Sequence, residues 1–313
     1  MAMRLRERLP QLSDAAFVTD GGMETTLIFH QGLELPHFAS FVLLDDDEGV
    51  RALREYFRPY IEVAREGGVG IVLDTPTWRA NADWGERLGY TAEGLAEINR
   101  RAVRLLEQLR EETGDRPQIV ICGCIGPRGD GYQVGETMTA AEAERYHSPQ
   151  VEVFAGTAAD LVSALTMTYA EEATGIVRAA RAAGIPAVVS FTVETDGRLP
   201  SGQPLDEAIE QVDAETDGAA AYFMINCAHP THFADVLEPG SPTLERIRGL
   251  RANASTMSHA ELDEAEELDE GDPIDLAQRY AELRQRLPNL NVVGGCCGTD
   301  HRHIGEICRV WAT

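Results

Sequence analysis

Two cysteines stand side by side near the C-terminal end of the chain, in Asn291-Val-Val-Gly-Gly-Cys-Cys-Gly-Thr299. A short apolar strand runs into glycines, then the thiols, then a helix start at Thr299. Such a loop presents Cys296 and Cys297 at the carboxyl end of a strand. Neighbouring cysteines suit a metal better than each other, because a disulfide between them closes a strained ring. Gly294, Gly295 and Gly298 leave the backbone free to fold both sulfurs toward one point. Zinc usually takes at least three protein ligands. A third thiol is available at Cys227, in Phe223-Met-Ile-Asn-Cys-Ala228, another apolar strand with a polar tip. Three thiolates around zinc with one open position can hold a substrate thiol in its ionised form, which makes a nucleophilic sulfur without a general base.

The chain that must position these groups has 313 residues, 43% of them hydrophobic and 25% charged. An α/β barrel commonly uses about 250 residues as one domain, so the length demands no split. With 27 basic against 52 acidic residues the net charge is −25, which makes nucleic acid and anionic membranes poor partners. The acidity reads as a solubility device. No apolar run approaches the ~18 residues that span a bilayer, and no signal core follows the basic start Met-Ala-Met-Arg. Six cysteines, two of them adjacent, point to reduced thiols and a cytoplasmic setting.

Apolar runs alternate with helical patterns throughout. The expected strands are Ala16–Asp20, Val69–Leu73, Ile119–Gly123, Ala159–Thr166, Ala187–Thr192, Ala220–Asn226, Arg248–Asn253 and Leu290–Gly294. Helices are expected near Glu48–Glu66 (apolar at Val50, Leu53, Phe57 and Ile61), Glu93–Glu112, from Thr139, Tyr169–Ala183, Leu205–Glu215, Leu276–Leu287 and Thr299–Trp311. Thr139 with Glu142 has capping-box spacing, and Gly184 ends its helix. Acid-rich Glu261–Asp272 reads as a solvated surface segment. Without a Ser/Gly linker, eight strands alternating with helices predict a single (β/α)8 TIM barrel over residues 1–313, with its site on the loops after the strands. Asp20, Cys124, Asn226, Cys227, Cys296 and Cys297 all fall at strand ends. A doubly wound sheet is the rival, but Asp20-Gly-Gly-Met lacks the phosphate fingerprint spacing.

Asp20-Gly-Gly-Met-Glu24, Gly123-Cys-Ile-Gly-Pro127, Phe191 with Leu199-Pro-Ser-Gly-Gln-Pro-Leu205, Asn226-Cys227 and Gly294-Gly-Cys-Cys-Gly-Thr299 together resemble the homocysteine S-methyltransferases, in order and over nearly the whole chain. The resemblance implies a zinc-centred barrel that methylates homocysteine to methionine. It places the zinc ligands and catalytic centre on Cys227, Cys296 and Cys297, the carboxylate near the substrate amine on Asp20, and a site asparagine on Asn226. One position departs. The family generally carries a glutamate at the end of the fourth strand that helps hold the ammonium, and alignment on Glu171-Glu172-Ala173 puts Leu165 there. An apolar residue cannot pair with an ammonium, so either Asp20 and backbone carbonyls suffice or the acceptor is another thiol. A single barrel with neither a cobalamin module nor the C-terminal extension of betaine-type enzymes resembles the short members that use S-methylmethionine.

The expected partners are thus a small thiol acceptor and a methyl donor, with self-association into a homo-oligomer left open. Thr77 and Trp78, in the loop after the second strand, join Asp20 and Asn226 as candidate substrate contacts. Trp78 and Trp84 offer aromatic faces to a cationic donor, or simply anchor their loop. Cys122 and Cys124 share one strand face, Cys124 toward the mouth and Cys122 below it, and read as packing, as does Cys308. His229, His301 and His303 follow the ligand cysteines and suit helix surfaces or caps. Arg198 and the Ser201-Gly-Gln203 turn are candidates to close over the site. Two other function classes fit the thiols less well. One is a redox or zinc sensor without methyl transfer, using Cys122, Cys124 and the cysteine pair. The other is a zinc hydrolase, for which an all-thiolate ligand set is unfavourable.

Overall fold

The computed structural model describes residues 5–238, 240–265 and 267–311, so that Met1–Arg4 of the basic start and Glu266 of the acidic segment lie outside it. Eight strands close into a barrel in strict sequence order, β1 Phe17–Thr19, β2 Gly70–Asp74, β3 Ile119–Ile125, β4 Leu161–Met167, β5 Ala187–Phe191, β6 Ala220–Asn226, β7 Ile247–Ala252 and β8 Val292–Gly295. Every neighbour pair is parallel, and the seam closes with Phe17 beside Val292 and Val18 beside Val293. This is the (β/α)8 barrel that the alternating pattern predicts, with strand bounds moved by at most two residues and those of β6 unmoved.

Two apolar layers hold it together. Phe17, Val72, Val120, Leu161, Val188, Tyr222, Met224 and Val292 fill the interior, alternating along each strand with residues that face the helices. On the outer layer the helix Asp47–Gly67 buries Leu53, Phe57 and Ile61. The Asp46 carboxylate caps its start, and Gly68 ends it in a left-handed turn (φ 64°). The Thr139–Glu142 capping box opens the helix Ala140–Ala155, and Gly184 closes Ala170–Ala183 as its position predicts. Cys308 packs in the outer core on the last helix, His301–Trp311.

The connection between β6 and β7 departs from the full helix of a regular βα unit. Among its described residues it holds only the short helix Pro230–Phe233 and two 3-10 turns, Ala234–Val236 and Pro242–Arg246. The His229 side chain caps the short helix by accepting from the Thr231 N–H, and burial pulls its pKa down to about 4. Pro230 and Pro242 each fit a first helical position but not a helix interior, so no long element forms between them. The acidic segment is not wholly irregular either. Ser258 and Glu261 form a capping box over the helix His259–Glu264. No helix among the described residues is long and apolar enough to cross a membrane.

Tyr280, fully buried on the helix Pro273–Leu283, fastens the two strands that flank the cysteine loop. Its hydroxyl accepts from the Ala252 N–H (2.8 Å) at the end of β7 and donates to the Gly294 carbonyl (2.6 Å) on β8. Tyr280→Phe leaves a buried N–H without an acceptor and is expected to lower unfolding stability by about 1–3 kcal/mol in a denaturant titration with unchanged slope. An unchanged midpoint would show that the Tyr280 hydroxyl is not holding β7 to β8.

Candidate metal centre and active site

β6 and β8 bring the three thiols together at the carboxyl-terminal mouth of the barrel. The Sγ atoms of Cys227, Cys296 and Cys297 lie within 4.8 Å of one another. The glycines around the pair act in two ways. Gly298 takes a left-handed turn (φ 77°), whereas Gly294 and Gly295 leave room where a Cβ would collide with the hydroxyls of Thr19 and Thr299. Cys227 itself is left-handed (φ 53°) and buried.

The reduced state expected of these thiols is not what the structure contains, because Cys227 and Cys296 are joined as a disulfide and Cys297 remains a free thiol. Three sulfurs that converge on one point can share a cation or pair with each other. The two outcomes are exclusive, since a cystine sulfur is no longer a thiolate ligand. The donor set, all sulfur and convergent, fits a thiophilic ion such as zinc once the pair is reduced. Metal uptake is therefore expected to approach about one ion per chain only after treatment with a reductant, as read by elemental analysis of the desalted protein. Full loading of protein kept oxidised would rule the cysteine cluster out as the site.

Asn226 braces the centre. Its side-chain oxygen accepts from the Thr166 N–H (3.0 Å) and the Ser190 hydroxyl (2.6 Å), and its amide donates to the Thr166 hydroxyl (2.8 Å). The same amide lies 3.9 Å from Cys296 Sγ. These bonds hold Thr166 in a left-handed conformation (φ 63°) that a β-branched residue adopts only when its surroundings impose it.

Beneath the sulfurs sits a buried charge cluster. Arg251 on β7 donates to Asp20 (2.7 Å) at the end of β1, to the Gly295 carbonyl (3.0 Å), and to Asp74 at the end of β2. The second Asp20 oxygen accepts from Tyr56 (2.9 Å), and Asp74 accepts from Ser163 (3.1 Å). Burial pushes the Asp20 carboxyl up to about 6 against the downward pull of Arg251, which leaves it ionised at neutral pH. Asp20 thus lines the site with both oxygens already bonded. Cys122 faces the interior near Asp74, and Cys124 lies one layer higher on the site wall, in the order their spacing predicts; burial pushes both thiols up.

The mouth encloses a cavity of about 210 Å³, walled by Asp20, Glu24, Trp78, Arg79, Tyr132, Leu165, Thr166, Asn226, Arg251 and the three cysteines among others. Tyr132, from the loop after β3, places its hydroxyl 3.4 Å from Cys297 Sγ and stacks on His259 with ring centroids 4.1 Å apart. His259 in turn donates through Nε2 to the Cys227 carbonyl (2.6 Å).

Several expected contacts are placed otherwise. Thr77 is fully buried behind the wall, its hydroxyl donating to the Cys124 carbonyl (2.7 Å), so it supports a strand end and does not face the cavity. Trp78 does line the cavity, and its Nε1 donates to the Leu165 carbonyl (3.3 Å). The cation on its ring and on Trp84 is the protein's own Arg79, at 4.2 and 3.9 Å from the ring centroids. Arg198 is exposed and donates back to the Gly202 carbonyl (3.1 Å), away from the cavity wall. His303 is buried against Asp300 and the Glu270 carbonyl, and His301 is exposed on the same helix.

The family model for homocysteine S-methyltransferase matches residues 17–311. The chain belongs to the homocysteine S-methyltransferase family. That membership makes it a methyltransferase and displaces the hydrolase and the sensor without methyl transfer. Its structure is similar to that of the homocysteine methyltransferase MmuM from Escherichia coli. Against the metallated form the TM-score is 0.71 at 19% identity, over 98% of this chain and 99% of that one. Against the oxidized form it is 0.71 at 20% identity, over 97% and 98%. At such identities the likeness shows the fold. No curated protein sequence matches this chain.

Removing Arg251 would strand two buried carboxylates. Arg251→Met is expected to cost about 3–5 kcal/mol at neutral pH, with the deficit shrinking as the pH is lowered and Asp20, already pushed up to about 6 by burial, protonates. Denaturant titrations of both proteins at pH 7 and pH 5 check this, and a pH-independent deficit would contradict it.

Proposed function

We propose that the protein transfers a methyl group from a sulfonium donor, S-methylmethionine in first place, to the thiol of homocysteine at a zinc ion held by Cys227, Cys296 and Cys297. The observation that carries this reading is the convergence of those three sulfurs on the wall of a cavity at the barrel mouth in a member of this family. Bound there, zinc would supply the positive charge that keeps an acceptor thiol ionised near neutral pH.

The chain's own residues supply position and exclusion of water. Asn226 and Thr166 fix the inner wall beside Cys296, and Tyr132 covers Cys297 from above. A thiolate and a methyl carbon held in line gain most of their rate from that placement. The cavity wall carries five carboxylates (Asp20, Glu24, Asp74, Asp130 and Asp263) against two guanidiniums (Arg79 and Arg251), a balance that favours a cationic donor over an anionic one. Leu165 leaves an apolar surface where a methyl-bearing chain can lie, with no charge of its own to offer an ammonium.

The test is a product assay by mass spectrometry on reduced, zinc-loaded protein. Homocysteine is offered with S-methylmethionine, S-adenosylmethionine or betaine, each beside Cys297→Ala. Methionine from the sulfonium donors and from wild type alone is the expected result. Its absence with every donor, with the metal still bound, would remove homocysteine as the acceptor.

A further inference from the structure

Arg79 forms part of the cavity wall yet is only 7% exposed. Its guanidinium lies against the Trp78 and Trp84 rings, and Nη1 donates to the Gly129 carbonyl (2.8 Å). The rest of the fork is poorly used. Nη2 stops 3.7 Å from the Asp130 carboxylate, beyond hydrogen-bond reach, and Nε is sealed from solvent with no acceptor among the described residues. A buried donor left this way carries a penalty that a ligand can remove. Burial pulls the Arg79 pKa down to about 10, which still leaves a full cation at neutral pH.

The other groups on the wall are better satisfied. Arg251 is shared between Asp20, Asp74 and the Gly295 carbonyl. Glu24 accepts from Ser40 (2.7 Å), and Asp130 accepts from the N–H groups of Tyr132 and Gln133. The buried polar atom left unmet on the wall is therefore a donor, and it belongs to one planar fork. The chemical group that matches such a fork is a carboxylate.

We propose that Arg79 is the carboxylate anchor of the cavity, a specificity-determining residue that selects a thiol acceptor bearing an acid group. The two tryptophans hold the guanidinium plane in place before the ligand arrives, so little side-chain freedom is lost on binding. The acceptor is a better fit than the donor, because a zwitterionic thiol has no net charge whereas a sulfonium amino acid brings a net positive one to a guanidinium. The inference rests on the reading that the cavity binds a thiol acceptor, and it does not depend on which donor is used.

The experiment is calorimetric titration of reduced, zinc-loaded protein with three thiols in the absence of any donor. They are homocysteine, 4-mercaptobutanoate, which keeps the acid and lacks the amine, and 3-mercaptopropylamine, which keeps the amine and lacks the acid. Wild type is expected to bind both acids about ten- to a hundredfold more tightly than the amine, the worth of a charge-assisted hydrogen bond. Arg79→Gln is expected to weaken both acids by a similar factor and leave the amine unchanged, with Arg79→Lys between them. Equal loss for all three thiols, or no loss for the acids, overturns the proposal. So does a wild type that binds the amine as tightly as the acids, a comparison that needs no variant to fold. The anchor stands if the binding pattern holds and no methionine forms; in that case it is the methyl-transfer reading that fails.

Discussion

The guanidinium of Arg251 touches β1 through Asp20, β2 through Asp74 and β8 through the Gly295 carbonyl, all from its own place on β7. A closed barrel must join its last strand to its first, and this is the place where that seam meets the loop of paired cysteines. One buried cation answers two buried carboxylates, and the hydroxyls of Tyr56 and Ser163 take up the remaining oxygens. Such a cluster is not a large net source of stability, since taking three charges from water costs about what their attraction returns. Its effect is geometric. It sets the height of the strand ends on which Cys296 and Cys297 stand, and it commits Asp20 to the frame of the barrel.

The sulfur centre is built on that frame by a second set of constraints. Left-handed backbone at Cys227 and Thr166, with Asn226 bonded across from β6 to β4, turns both chain segments toward the cavity. The mouth is then covered from the β3 loop, where Tyr132 lies over Cys297 and rests on His259. The three thiols, their brace and their cover come from strands and loops distant in sequence, which the barrel gathers at one end.

Much of this was legible in the amino-acid sequence, for physical reasons. Short apolar runs between helical patterns mark all eight strands, and the cysteine at the tip of β6 with the pair after β8 marks the donor set. What escaped is instructive. Arg251 is hard to place, because a charge inside a strand reads as a break until its partners on β1 and β2 are known. Arg79 was passed over because its neighbours Trp78 and Trp84 suggested a foreign cation, when the nearest cation was next in the chain. Tyr132 sits in a turn-rich loop whose path no periodicity describes. The type and place of Thr77 suit a substrate contact, though a threonine at a strand tip can equally face the wall, as it does here. The missing helix between β6 and β7 reflects Pro230 and Pro242, which mark helix starts that nothing downstream extends.

Leu165 and Thr166 are neighbours under opposite rules. Thr166 is fixed by two hydrogen bonds to Asn226 and an unusual backbone angle, so change there disturbs the sulfur centre. Leu165 is held through its backbone, by the bond from Trp78 Nε1 to its carbonyl, while its side chain meets only the cavity and the interior below it. A position with a fixed main chain and an unbonded side chain is where a lineage can alter the ligand it recognises without rebuilding the reactive centre. The barrel thus separates the residues that make the chemistry from one that is free to diverge, and it does so across a single peptide bond.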